Sequence, residues 1–483
     1  MLGIIGILLA LVLLIVLAYR GVSLLVISPI TALIAVLFAG GTPILATYTQ
    51  IFMPAVGSFI VQFFPLFMLG ALFGKLMEES GSAQVLARWI VDRLGSNQSV
   101  LAVVLACAVL TYGGVSLFVV AFAVYPIAVQ LFREANIPKR LIPATIALGA
   151  FTFTMTALPG TPSIQNAIPM PFFGTTSFAA PGLGIISGAI MFALGLAWIN
   201  WRVGQAHAAN EGYSQTPEPT LTRTTELREH ALGDGFDIAE IADERPNPAP
   251  PSFLIALAPL IMVIVFNLLL VAVIIPAMDT SFLALPKFGN TTIDEVRGLW
   301  AVIVALTCSI VALIFLNYQR ISNIKAAINQ GADASVLPIF NTASQVGFGA
   351  VIAALPGFVI IRDAVLQLGG DNVLVGLATS VGLLSAITGS ASGGMSIVLE
   401  TMGDTFVAQA EAAGVALDLV HRVTVMASGS IDSLPHSGAV ISLLAICGLT
   451  HRESYFDIFV AAIVAPVISL IALIILGSIF GSF

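Results

Sequence analysis

Apolar segments of membrane-crossing length fill most of this 483-residue chain. In hydrocarbon no water satisfies backbone N–H and C=O groups, so each such segment must be an α-helix. Ten segments, near 2–19, 23–39, 52–77, 141–172, 181–200, 252–276, 297–317, 335–361, 418–449 and 455–480, are long enough to meet the roughly 20 residues a bilayer requires. Only 9% of the residues are charged and 58% are hydrophobic; soluble domains run near ~25% charged. The expected fold class is therefore an all-α polytopic membrane protein whose surroundings are the lipid bilayer. The first run, Leu2 to Ala18, has no basic stretch before it and reads as a retained helix, not a cleaved signal. Cys107, Cys308 and Cys447 lie scattered in apolar runs without metal-ligand or redox spacing, and read as small core residues. No phosphate loop, zinc-ligand spacing or nucleophile elbow occurs, so neither ATP-driven transport nor hydrolysis is expected. No cofactor and no nucleic-acid partner is expected.

Two further apolar stretches, 98–132 and 372–411, are interrupted by Tyr112-Gly113-Gly114 and by Gly389-Ser390-Ala391-Ser392-Gly393-Gly394. A glycine-rich tip cannot face lipid and each half-arm is short, so both stretches read as re-entrant hairpins. Two of the spans are themselves broken, at Ala157-Leu158-Pro159-Gly160-Thr161 and at Ser433-Leu434-Pro435-His436-Ser437. From Thr111 to Pro159 is 48 residues and from Thr388 to Pro435 is 47. Matched breaks in two halves are the sequence signature of a secondary transporter with its site where the halves meet.

Charge supports the hairpins. With the N-terminus outside and both hairpins returning to their own side, 14 basic residues are cytoplasmic and four, Lys287, Arg297, Arg362 and Arg422, are outside. This is the bias that the positive-inside rule expects. Full crossings at the two glycine tips would move Arg133, Lys139, Arg140, Arg202 and the basic residues of the central loop outside. Each half, 1–200 and 252–483, then holds three spans, a hairpin, a broken span and a final span, with opposite orientations: an inverted repeat. Residues 201–251, with nine acidic and four basic residues and a Pro-rich end, read as a cytoplasmic linker.

A helix that stops inside the membrane leaves backbone groups without partners. Its N-terminus attracts carboxylates and its C-terminus offers carbonyls to cations. The candidate substrate-binding residues are those of the four breaks: Gly113, Gly114 and Ser116; Pro159, Gly160, Thr161, Ser163, Gln165 and Asn166; Thr388, Ser390, Ser392, Gly393 and Gly394; and Ser433, Pro435, His436 and Ser437. Hydroxyls and amides dominate, with no Arg or Lys among them, which points to a small substrate carrying one carboxylate, with or without a hydroxyl. Asp432 and His436 flank Leu434-Pro435, where the first half has Thr156 and Gly160. An Asp in a spanning helix costs roughly 2.5–3.5 kcal/mol on insertion scales. Burial, and a contact between the two, act on their proton affinities in opposite senses, so either can exchange a proton near neutral pH. The pair is the expected proton-coupling site, with Glu400 on the second hairpin as a further proton carrier. Proton coupling is expected, with sodium the other cation to test.

Leu76-Met77-Glu78-Glu79-Ser80-Gly81, Thr156-Ala157-Leu158-Pro159-Gly160-Thr161-Pro162-Ser163-Ile164-Gln165-Asn166 and Cys447-Gly448-Leu449-Thr450-His451-Arg452-Glu453-Ser454-Tyr455 resemble the gluconate permease (GntP) family over nearly the whole chain. Within it, Ser433-Leu434-Pro435-His436-Ser437-Gly438-Ala439-Val440 looks like the D-beta-hydroxybutyrate permease branch, and departs from the sugar-acid branch. The resemblance places the chain in the ion transporter superfamily. It implies an elevator-type transporter in the bacterial inner membrane, a homodimer, and proton symport of a monocarboxylate such as 3-hydroxybutyrate. Gluconate or another sugar acid is the alternative substrate; a channel or a membrane-bound sensor is the reading from a different class.

Overall fold

The computed structural model describes residues 2–20, 22–40, 42–213, 250–368, 370 and 372–483, and these are helical with no strand. The linker expected over 201–251 lies outside the described residues from 214 to 249.

The first part of the chain runs α1 (Leu2–Tyr19), α2 (Leu24–Ala39), α3 (Ile44–Glu79), α4 (Ser82–Leu94), α5 (Ser99–Tyr112), α6 (Leu117–Glu134), α7 (Ile142–Ala150), three short turns α8 (Phe153–Thr156), α9 (Ile164–Ala167) and α10 (Pro169–Phe173), and α11 (Pro181–Ala208). The second part runs α12 (Phe253–Ala277), α13 (Ile293–Asn317), α14 (Ile324–Ala354), α15 (Phe358–Leu368), α16 (Val373–Thr388), α17 (Ala391–Ala412), α18 (Leu417–Ser428), α19 (Gly438–Cys447) and α20 (His451–Phe480). Among the described residues, six helices (α3, α11, α12, α13, α14 and α20) are long and apolar enough to cross a bilayer. Their outer faces carry exposed residues such as Val61, Phe315, Leu254 and Ile479, as a lipid-facing surface requires.

Several bounds differ from those read in the sequence. The third span begins at Ile44, not at 52. The span expected over 335–361 starts at Ile324, stops at Ala354 and is followed by a separate helix, α15. Neither α4 nor α15 was expected. Both are amphipathic and only 13 and 11 residues long, so they fall below the length by which a span is recognised. Cys308 is exposed on α13, not a core residue.

Proline shapes the long helices. In α3, α12 and α20 a π-turn covers 48–52, 270–274 and 460–464, and Pro54, Pro276 and Pro466 follow two residues later. The proline ring clashes with the carbonyl four residues before it and brings no N–H, so the ladder slips by one residue there.

The centre of the molecule is the packing of α3 against α14. Gly331 allows it: a Cβ there would lie 2.8 Å from the Leu72 Cα. Helix α14 has a mean hydropathy of 1.4 over its most apolar stretch, against 2.0–3.0 for the other five long helices. It tolerates this because its polar residues Asn341, Thr342, Ser344 and Gln345 are buried in protein. Around this pair lie the two interrupted stretches. The arms α5 and α6 pack together, as do α16 and α17, and Ser99 Oγ at one end of α5 reaches the Leu131 carbonyl near the far end of α6 at 3.4 Å. Each stretch is thus two packed helices and not a single kinked one.

At one end of the bundle the chain after α11 is tied down. Arg140 donates from Nε and Nη2 to the two Glu211 carboxylate oxygens at 2.7 and 2.8 Å, and from Nη1 to Asp457 at 3.0 Å. Asp457, buried, also accepts from Arg202 Nε at 2.7 Å and Trp198 Nε1 at 3.1 Å. The Tyr213 N–H donates to Asn136 Oδ1 at 3.0 Å. Hydrogen bonds from Arg140 hold the Glu211 carboxyl below the ordinary carboxylate range. A carboxyl lowered on folding stabilises fully above its ordinary pKa and loses that contribution as pH falls through the lowered value. Residues 209–213 should therefore stay docked through neutral pH and loosen only in acid. Hydrogen exchange of these amides, corrected for intrinsic rates, should show protection at neutral pH that Glu211→Gln removes. Loss of wild-type protection on the alkaline side of neutrality would contradict this assignment.

Candidate functional site

The four breaks meet at one cavity of about 260 Å³. Its wall takes in the tip of the first hairpin at Gly114 and Ser116, the first interruption at Ser163 and Gln165, and the tip of the second hairpin at Thr388, Ser390 and Ser392. The second interruption contributes Asp432, His436 and Ser437. From α3 come Leu66, Phe67, Gly70 and Ala71, and from α14 come Asn341, Thr342 and Gln345. Part of the lining is apolar and part is amide and hydroxyl. Asp432 and His436 are the only titratable residues among the described lining, and no Lys or Arg lines it.

Serine starts each helix that begins here. Ser116, Ser390 and Ser437 occupy the positions just before α6, α17 and α19. Ser390 Oγ caps α17 by accepting the Gly393 N–H at 3.2 Å. Ser116 and Ser437 make no such cap. The first-turn N–H groups of α6 and α19 therefore keep no side-chain cap, and three positive helix ends border the cavity. Glycine makes the turns: Gly389 ends α16 at φ +64° and Gly114 sits at φ +95°, values that residues with a Cβ avoid.

Each hairpin tip is bonded to the break of its own half. Tyr112 Oη donates to the Pro159 carbonyl at 2.7 Å. In the second half His436 Nε2 lies 3.0 Å from the Ala386 carbonyl and Ser437 Oγ donates to the Gly389 carbonyl at 3.1 Å. A carbonyl only accepts, so His436 carries a proton on Nε2. Asp432 accepts from Ser433 Oγ at 3.1 Å. The expected Asp432–His436 contact is thus replaced: both side chains line the cavity, but each bonds to a different partner.

The remaining expected residues lie behind the wall. Gly113 is pressed by Leu260 of α12. The Gly160 N–H donates to the Ser177 carbonyl at 2.9 Å. Thr161 and Asn166 are buried, and Asn166 Nδ2 donates to the Thr161 and Ser177 carbonyls at 3.1 and 3.0 Å. Gly394 packs on the Ser385 backbone. The Pro435 and Ser433 carbonyls accept from His451 Nε2 at 2.8 Å and Tyr455 Oη at 3.2 Å. Glu400 is not at the breaks. It borders a separate, larger cavity of about 470 Å³ with Gln62, Thr291 and Glu295, lined also by Pro171 and Phe172 of α10.

Arg422 is the main surprise. It was expected outside, yet it is fully buried. Its Nε and Nη2 donate to the Ala179 carbonyl at 3.1 and 2.8 Å, and Nη1 donates to the Thr156 carbonyl at 3.1 Å and to Asn166 Oδ1 at 3.2 Å. Asn166 Oδ1 also takes His421 Nε2 at 3.2 Å, and His421 Nδ1 meets Thr175 Oγ1 at 2.6 Å. One guanidinium on α18 thus holds the ends of the first interrupted segment. The sequence did carry a sign of it, since Arg422 falls inside the span bounds of 418–449. Asn341 and Gln345 were likewise missed, although they sit four apart inside an expected span.

These features define a multi-pass membrane protein whose interrupted helices meet at one cavity. The chain is 42% identical over 475 residues, 97% of its own length and 98% of the other's, to a protein of Bacillus subtilis (strain 168) named uncharacterized transporter YxjC. It belongs to the same transporter family. No family model matches the chain.

Arg422→Lys should destabilise the protein, because one ammonium cannot reach acceptors spread over Thr156, Asn166 and Ala179. The loss of a charge-assisted bond costs about 1.5–3 kcal/mol. A lowered melting temperature in detergent is the expected result, and wild-type stability would contradict the role.

Proposed function

We propose that this transporter is a symporter that moves a short monocarboxylate, 3-hydroxybutyrate by preference, together with a proton across a bacterial inner membrane. The observation that carries the reading is the convergence of three helix N-termini on one small cavity with a lining part apolar and part hydroxyl and amide. Helix N-termini favour a carboxylate. A single carboxylate needs no fixed cation beyond them, which suits a lining without Lys or Arg. The apolar side formed by Leu66 and Phe67 suits a short alkyl end.

The proton enters through Asp432. A substrate carboxylate brought beside it in a confined space meets like-charge repulsion. One proton on Asp432 removes that repulsion, so substrate and proton load together. His436, bonded to the second hairpin through Ala386, passes the change in charge to the tip that covers the site. The two parts of the chain, each with three long or apolar helices, an amphipathic helix, a hairpin, an interrupted segment and a last long helix, act as inverted repeats. Helices α1–α3 and α12–α14 serve as scaffold. The hairpins and interrupted segments carry the substrate as an elevator within a homodimer, with the N-terminus outside and the linker cytoplasmic.

Reconstituted protein should accumulate 3-hydroxybutyrate when an imposed gradient makes the lumen alkaline. Asp432→Asn should abolish accumulation while leaving downhill exchange, and His436→Ala should weaken coupling. Gluconate outcompeting 3-hydroxybutyrate, lactate and acetoacetate would overturn the substrate assignment. Accumulation driven by sodium alone would overturn the proton. Equilibration without accumulation would mark a channel, and binding without flux a sensor.

A further inference from the structure

We infer that Asn341 and Gln345 of α14 are specificity residues that read a hydroxyl group on the bound carboxylate. The inference rests on the proposed site and names which part of the ligand those two amides contact.

Both residues line the cavity, on one face of α14 one turn apart. Both are deeply buried, Asn341 at 3% and Gln345 at 1% exposure. Each has an atom without a partner: Asn341 Nδ2 and Gln345 Oε1. Buried polar atoms are rarely left unpaired, and each instance calls for a reason. The Asn341 orientation is fixed. Its Oδ1 accepts the Leu25 backbone N–H at 2.8 Å and Ser23 Oγ at 3.2 Å. A backbone N–H can only donate, so the oxygen must face α2 and the amide nitrogen is left without a partner. Gln345 is held against Gly393 in the first turn of α17, where a Cβ would fall on its Oε1. Glycine at 393 is therefore what lets the amide reach this helix end.

The pair holds one unpaired donor and one unpaired acceptor on cavity-lining residues one turn apart. A carboxylate, which only accepts, can use Asn341 but leaves the Gln345 oxygen unpaired. A methyl group can use neither. A hydroxyl donates to Gln345 Oε1 and accepts from Asn341 Nδ2, completing both. Gln345 stands at the N-terminus of α17, one of the helix ends assigned to the carboxylate, so the hydroxyl it reads lies close to the carboxylate on a short chain. The apolar residues that α3 contributes to the lining take the remainder. The ligand class is therefore a short hydroxy acid, and the cavity lining divides its polar and alkyl parts between α14 and α3.

Butyrate and 3-hydroxybutyrate differ only in the hydroxyl and give the direct test in proteoliposomes. Wild-type protein should prefer 3-hydroxybutyrate by about tenfold or more in kcat/KM, the scale of one hydrogen bond with its orphaned partner. Gln345→Leu and Asn341→Leu should each bring that ratio toward parity, by raising KM for the hydroxy acid and not for butyrate. Structural damage would depress both substrates alike and leave the ratio in place. Thermal melting gives a second readout. Gln345→Leu without substrate should be at least as stable as wild type, because an unpaired buried oxygen is removed, yet should gain less on adding 3-hydroxybutyrate. A preference unchanged in both variants would overturn the inference, as would a wild type that treats the two acids alike while transporting both; the monocarboxylate reading would survive either. Transport of neither acid would overturn both.

Discussion

A helix that ends within a bilayer exposes N–H or C=O groups that lipid cannot satisfy, so it can end only where protein or a polar cavity takes their place. The middle of this molecule is arranged around that constraint. Eight chain ends of this kind, a stop and a restart at each of the two hairpin tips and the two interrupted segments, are gathered around one cavity. Those not facing it are bonded to one another. Tyr112 takes the Pro159 carbonyl, Ser437 takes that of Gly389, and His436 takes that of Ala386. Gathering the ends gives these carbonyls a partner and also concentrates helix N-termini in one small space. Such a cluster of helix N-termini favours negative charge from the backbone alone, before any charged side chain is added.

Arg422 extends the same solution across the halves. The end of α8 presents the Thr156 carbonyl and the loop before α11 presents those of Ser177 and Ala179 inside the protein, and a buried guanidinium from α18 supplies donors to all three. Its planar fork suits several acceptors at once where an ammonium would not. The bond joins parts of the chain more than 240 residues apart, so a shift of one interrupted segment moves the other. That coupling keeps a site built from both halves intact as a unit.

The breaks were legible because their signals are local. Glycine at Gly114 and Gly389, serine at Ser116, Ser390 and Ser437, and proline beside them specify a stop and a restart whatever surrounds them. The hairpins followed from short arms and from where the basic residues fall. What escaped the sequence depends on packing. Helices α4 and α15 are too short and too amphipathic to stand out among membrane spans. Arg422 looks like a loop charge until Asn166 and three carbonyls from another part of the chain are seen around it. Asn341 and Gln345 look like blemishes in an apolar run, because only the placement of α2 and the second hairpin shows which amide atoms are left over. Asp432 and His436 looked like one pair; they share the cavity, but the Ser433 hydroxyl and the Ala386 carbonyl hold them separately.

The central claim is that the cavity between the two hairpin tips is where substrate binds. Cryo-electron microscopy of the protein in lipid nanodiscs with 3-hydroxybutyrate tests it most directly. The account predicts ligand density in that cavity, with the carboxylate at the starts of α6, α17 and α19. Density in the larger space beside Glu400 and Glu295, with the central cavity holding none, would contradict it.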